Sequence, residues 1–129
     1  KKPKTLITAQ FIGSPAMNIL KGNCQNKKLI FSNGSSLNIN TNFKGEVNVG
    51  MRPEDFKIDN NGSINLNVEL VELIGSNTLI HGKLSKSNEI LVASIPGVIK
   101  ENLKGKDLNL SFDESKIHLF DVNSDQRIN

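Results

Sequence analysis

A chain of 129 residues with 36% hydrophobic and 22% charged residues has the balance of one globular domain, not of a disordered chain. The net charge of +3 is mild and the lysines are scattered apart from Lys1, Lys2 and Lys4; with no Trp or Tyr and only six Phe, the chain lacks the exposed aromatics that nucleic-acid stacking needs. A single cysteine, Cys24, excludes an internal disulfide and suits a reducing compartment, and no apolar run approaches the ~18 residues of a membrane helix.

Leu6, Ile7 and Phe11 fall at helical spacing and Gly13 follows as a stop, so a short helix is predicted over 5–12. The chain begins at Lys1 without Met, which reads as a piece of a longer protein. From Lys28 onward the pattern is strands and turns. "KLIFSNGSSLNI" is a predicted hairpin around Asn33-Gly34, a dipeptide suited to tight turns. In "GEVNVGMR", Val47, Val49 and Met51 alternate with Glu46, Asn48 and Gly50, the period of a half-buried strand. Pro53 biases Arg52 toward extended geometry, making Arg52 the expected last strand residue. Pro also suits the first position of a helix, and Glu54 and Asp55 then meet the positive end of its dipole. Arg52, Pro53 and Glu54 are therefore read as a structural corner, with Phe56 turned back onto the core.

Asn61-Gly62 turns the chain into "SINLNVELVEL", where Ile64, Leu66, Val68 and Leu70 alternate and Val71 and Leu73 change face. A strand that changes its buried face contains a bulge or bends between sheets. After Gly75-Ser76-Asn77 come "TLIHGKL", a polar turn at 85–88, "EILVASI" closed by Pro96-Gly97, "DLNLSF" and "KIHLF". The predicted core includes Val47, Val49, Met51, Leu66, Val68, Leu70, Ile80, Val92, Leu110, Phe112 and Leu119. Strands this closely spaced, punctuated by Gly and Asn, imply an all-β barrel or sandwich, and no internal repeat stands out.

The chain offers little catalytic chemistry. A phosphate loop ends in Gly-Lys-Ser/Thr, but Gly82-Lys83 and Gly105-Lys106 are followed by Leu84 and Asp107. Cys24, His81 and His118 are isolated, without the clustering of a zinc site. Ser14 lacks the flanking glycines of a nucleophile elbow. No catalytic, cofactor-binding or metal-binding residue is expected.

Five strings in order, "FIGSPAMN", "VGMRPEDF", "ELIGSNTLIHGKL", "IPG" and "KIHLFD", give the chain a resemblance over nearly its whole length. It resembles the C-terminal part of the ATP-binding subunits of ABC importers of the maltose and glycerol-3-phosphate type, a regulatory region with a TOBE domain. The resemblance implies an OB-fold-like barrel or sandwich with one short N-terminal helix and a one-turn helix at Pro53. It implies that 1–13 are the end of a nucleotide-binding domain and 14–129 the regulatory domain. It further implies that the parent hydrolyses ATP with Mg in the missing domain, that this stretch binds no cofactor, and that the parent sits at the inner face of the membrane. Its implied partners are a second copy of the subunit, permease subunits through the missing domain and a regulatory protein, with no nucleic acid. Such subunits carry an acid after the Gly-Ser where this chain has Asn77. Two other readings stand beside this one. The first is a small-oxyanion sensor with Gly75, Ser76 and Asn77 as its candidate turn; the second is a nucleic-acid-binding OB barrel.

Overall fold

A computed structural model describes residues 16–129. The helix predicted over 5–12, the segment 1–13 and Ser14 lie outside the described residues. The remainder is all-β. Its strands are β1 (Asn18–Gln25), β2 (Lys28–Phe31), β3 (Ser36–Asn38), β4 (Gly45–Met51), β5 (Phe56–Ile58), β6 (Ile64–Ile74), β7 (Asn77–Leu84), β8 (Ile90–Pro96), β9 (Asp107–Phe112) and β10 (His118–Asp121). Two single 3-10 turns, Pro53–Asp55 and Glu114–Lys116, interrupt them. No helix among the described residues is long and apolar enough to cross a membrane.

The chain divides into two compact units, one formed by the residues up to Arg52 with Glu114–Asn129, the other by Pro53–Asp113. Each holds a five-stranded antiparallel sheet, in the orders β10-β4-β1-β2-β3 and β5-β9-β6-β7-β8. These orders are one topology. If the first unit is counted from β10 and then β1 to β4, the first strand pairs with the fifth and the fifth with the second in both sheets. The second then pairs with the third, and the third with the fourth. Each fifth strand leaves through a 3-10 turn to become the first strand of the other unit: β4 runs through Pro53–Asp55 into β5, and β9 through Glu114–Lys116 into β10. The sequence reading finds no repeat, yet the architecture is repeated. Its surviving trace is the shared alternation of Val47-Asn48-Val49-Gly50-Met51 on β4 and Leu108-Asn109-Leu110-Ser111-Phe112 on β9.

In the first unit the core gathers Leu20, Cys24, Leu29, Phe31, Ile39, Val47, Val49, Met51, Ile117 and Leu119. The strand β1 is absent from the sequence-based expectation, although it is central and pairs with β2 and β4. Its alternating positions are Asn18, Leu20, Gly22 and Cys24, so the hydrophobic period is masked by two non-apolar residues. Asn18 is buried because its side-chain amide donates to the Met51 carbonyl at 2.9 Å. Gln25 pairs with Lys28 across a two-residue turn, Asn26-Lys27, with positive φ at both (52° and 59°). That is the backbone of a primed hairpin turn without its usual glycine. The hairpin of β2 and β3 forms as expected, with Leu29 opposite Leu37.

In the second unit the burial departs from the pattern of the sequence. Ile64, Leu66 and Val68 on β6 are buried, but the pairing with β7 shifts between Val68 and Leu70. The bulge at Glu69 comes before Leu70 rather than after it, so Leu70 leaves the core and is 48% exposed. On β8, Leu91 and Ala93 are fully buried while Val92 is only half-buried, because the apolar run "ILVA" admits either phase and the pairing chooses the other. The remaining expected core residues are buried. At the corner, β4 ends at Met51, one residue before Arg52, and β5 is an unexpected short strand beginning at Phe56.

Beside the bulge, Gly82 lies against the backbone of β6. A Cβ there would stand 2.2 Å from the Asn67 carbonyl oxygen, and a backbone atom cannot swing aside. Gly82→Ala is expected to lower stability by about 3 kcal/mol in urea unfolding. An unchanged unfolding midpoint would contradict this packing.

Candidate functional site

At the corner between Arg52 and Pro53 the chain passes from the first unit into the second. Pro53 is buried and Glu54 is exposed in the single 3-10 turn. Phe56 is 2% exposed and meets the Phe112 ring edge-on, centroids 4.8 Å apart, within the second unit. Arg52 is half-buried, and among the described residues it makes no hydrogen bond or ion pair. Pro53 and Glu54 thus lie in the 3-10 turn that links β4 to β5, and Arg52 is the residue just before it.

The candidate turn closes the hairpin of β6 and β7. Ile74 pairs with Asn77, leaving Gly75 and Ser76 as the turn residues, with φ of 61° at Gly75 alone. A positive φ at the first central position is the type II′ pattern, which glycine adopts without strain. The Ser76 carbonyl accepts the Gly97 N–H at 2.7 Å, and the Asn77 side-chain amide donates to Ser94 Oγ at 3.3 Å. Thr78 Oγ1 donates to the Gly97 carbonyl at 2.7 Å. These bonds tie the hairpin tip to the end of β8. The Asn77 side chain is therefore engaged within the sheet, on a strand adjacent to its partner.

The register of β6, β7 and β8 assembles a third feature that sequence reasoning missed. Leu70 pairs with His81 and His81 with Val92; Glu72 pairs with Leu79 and Leu79 with Ser94; Lys83 pairs with Ile90. Directly opposed residues share a face, so Leu70, Ile74, Leu79, Ile90 and Val92 lie on one side of the sheet. Leu70, Ile74 and Ile90 are 48%, 55% and 67% exposed, and Leu79 and Val92 are half-buried. The polar groups among them are paired. His81 Nε2 meets Glu72 Oε1 at 2.7 Å, and Lys83 Nζ lies 3.8 Å from Glu69 Oε2. The second pair is open to water and adds little stability. The result is an apolar strip whose neighbouring polar side chains are engaged with one another. Three large apolar side chains on one sheet face are thus left in contact with water. The signal in the sequence was the double phase of "VELVEL" and "EILVAS", where one set of apolar residues faces the core and the other is left over.

The isolated Cys and His residues are accounted for locally. Cys24 is buried in the first core, where desolvation raises its thiol pKa, and His118 is buried on β10. Among the described residues no group of three or more His, Cys, Asp or Glu is placed to hold a metal ion.

Comparison with known proteins agrees with this architecture. Residues 13–56 match the family model for the MalK OB fold domain, and residues 49–120 match that for the TOBE domain. The chain is 35% identical over 127 residues to the sn-glycerol-3-phosphate import ATP-binding protein UgpC of Ruegeria sp. (strain TM1040). It is 31% identical over 137 residues to the sulfoquinovosyl glycerol transport ATP-binding protein SmoE of Agrobacterium fabrum (strain C58). Each match covers 98% of this chain but only 36% and 37% of the relative, so the chain spans about a third of their length. Among solved structures, the cytoplasmic molybdate-binding protein ModG aligns with TM-score 0.62 at 13% identity, over 84% of this chain and 98% of that one. At that identity the likeness is one of fold.

The position of Leu70 can be read with thiol chemistry. Leu70→Cys is expected to react with a thiol reagent at neutral pH like an open cysteine. Val68→Cys, two residues earlier in the core, and the native Cys24 are expected to stay protected until the protein unfolds. Equal protection at 68 and 70 would contradict the bulge.

Proposed function

The chain belongs to the TOBE domain family, and from that premise we propose that it is the C-terminal regulatory and dimerisation domain of the ATP-binding subunit of an ABC importer for sugars or glycerol 3-phosphate. The observation that carries this reading is the placement of the match: two family models tile residues 13–56 and 49–120, and ATP-binding subunits of importers align with 98% of the chain over little more than a third of their own length. ATP and Mg then belong to a nucleotide-binding domain elsewhere in the parent. Nothing in this stretch has the Gly-Lys-Ser/Thr sequence that cradles phosphates. The parent couples ATP hydrolysis to solute uptake and works at the inner face of the membrane through its permease subunits.

In this reading the domain holds two subunits together while their catalytic domains open and close, and a regulatory protein acts by favouring one of those two states. What the fold offers for such a contact is the strip around Leu70, Ile90 and Val92. A sheet face that is apolar at its centre gains from being covered by a second copy, since its exposed leucine and isoleucine side chains then leave water. Alone, the domain associates weakly, because in the parent the two interfaces of each subunit reinforce one another through effective concentration.

Sedimentation velocity over a rising protein concentration tests this. The wild-type chain is expected to move from monomer toward dimer, and Leu70→Glu is expected to weaken the association about tenfold or more by placing a charge in the contact. A monomer at every concentration would contradict the dimerisation role, and an unaffected dimer in the variant would move the contact elsewhere.

A further inference from the structure

One edge of the first sheet is covered by chain that is not one of its strands. β10 ends the order β10-β4-β1-β2-β3, so one side of it has no neighbouring strand. An uncovered edge is a row of backbone donors and acceptors open to other chains. After Asp121 the chain turns and runs back along that side. The Asp125 N–H donates to the Asp121 carbonyl at 2.8 Å, with φ of 57° at Asp125, and the Asp121 N–H donates to the Gln126 carbonyl at 2.9 Å. Phe120 bridges Arg127, and the Ile128 N–H donates to the Leu119 carbonyl at 2.9 Å. Asn129 then puts a side chain where backbone would serve. Its Oδ1 accepts the Leu119 N–H at 2.8 Å and its amide donates to the Ile117 carbonyl at 2.6 Å. One carboxamide thus satisfies a donor and an acceptor of the edge, as a neighbouring strand would.

Two observations show that this strap fits its edge imperfectly. Gln126 and Asn129 are exposed, and Arg127 and Ile128 are only half-buried, so little apolar area holds the strap down. Ile117, Leu119 and Phe120 beside it are fully buried and do not depend on exposed chain for their packing. Arg127, opposite Phe120, keeps Nη1 buried without a hydrogen-bond partner, and burial lowers its pKa. A buried donor without an acceptor is costly. The carboxamide of Asn129 suits the edge; the guanidinium of Arg127 does not.

We propose that residues 126–129 are a displaceable strap over a strand-addition site on β10. The site takes an extended segment of a partner protein, with Asn at the position of Asn129 and a neutral residue at that of Arg127. A strand added to a sheet edge draws affinity from main-chain bonds and specificity from its side chains, and the strap displays which of these fit. The misfit of Arg127 separates a partner from a second copy. Exchange of straps between two copies returns the same buried guanidinium to each edge, whereas a strand without it leaves no such nitrogen unsatisfied. Strap and edge both belong to the first unit, so the site does not depend on the self-association proposed for the second.

Amide exchange of the 129-residue chain and its titration with synthetic hexapeptides, both read by NMR, test the site. The Leu119 and Asp121 amides point to the strap, and the alternate amides of His118 and Phe120 point to β4. Relative to their intrinsic rates, the first two are expected to exchange about tenfold faster or more, because the strap opens without the sheet. Asn129→Ala loosens the strap further. A peptide of residues 124–129 carrying Arg127→Thr is expected to bind that variant saturably and shift the Leu119 and Asp121 resonances. It is expected to bind wild type about tenfold more weakly, because the tethered strap competes there. The peptide that keeps its Arg, and the one that also carries Asn129→Ala, are each expected to bind the variant more weakly. If Asn129→Ala does not fold, exchange in the wild type decides alone. Equal exchange of the four amides, no peptide binding to the loosened chain, or binding indifferent to the peptide's Asn would each overturn the proposal. Equal binding of the Arg and Thr peptides would overturn it in favour of exchange between copies.

Discussion

The pairing of β10 with β4 is the contact on which the first unit depends. Leu119 and Phe120 on β10 are fully buried, and β10 lies at one end of its sheet next to β4. In sequence the strand arrives only after all of β5 to β9 has been made. The second unit, by contrast, is a continuous stretch from Pro53 to Asp113. The first sheet therefore closes through a long-range contact, whereas the second closes through nearer ones, and contacts that are far apart in sequence form slowly. The Arg-Pro-Glu-Asp corner takes its meaning from this arrangement. It is one of two equivalent crossings, and Glu114–Lys116 is the other.

Much of this was legible in the sequence wherever period 2 was clean. The runs around Val47 and Ile64 declared strands because apolar and polar residues alternate there without interruption. β1 was hidden because Asn18 and Gly22 occupy inward positions, one satisfied by the Met51 carbonyl and the other packed tightly against Leu29. Alternation scores hydrophobicity, and neither residue is hydrophobic. Leu70 and Val92 were misplaced for the opposite reason: both phases of their runs are apolar, so local pattern cannot say which faces the core. Pairing decides it, and pairing is tertiary. The repeated topology was equally faint, since only the alternation of β4 and β9 survives while the crossings that follow them, Arg-Pro-Glu-Asp and Asp-Glu-Ser-Lys, share little.

The two candidate surfaces consist of residues that the folding of each unit leaves over. A leucine buried fully contributes about 2 kcal/mol, so the bulge at Glu69, by leaving Leu70 about half exposed, forgoes roughly 1 kcal/mol. A contact made by the strip around Leu70 would recover that energy. Likewise, Arg127 is anchored by Asn129 yet keeps one buried nitrogen without an acceptor. Neither feature stabilises the isolated chain. The exposed leucine would gain from an apolar contact and the buried nitrogen from an acceptor.

Amide hydrogen exchange on a chain ending at Asp113 tests the two-unit account most directly. Removal of Glu114–Asn129 takes away β10 and exposes the β4 edge and the Ile117, Leu119 and Phe120 sites of the first unit. The account predicts that β1, β2 and β4 lose their slow exchange while β6, β7 and β9 keep theirs, because the second sheet has all its strands without β10. Retained protection in β4 would mean that β10 does not close the first sheet. Loss of protection throughout β6 and β7 would mean that the two sheets are not independent units.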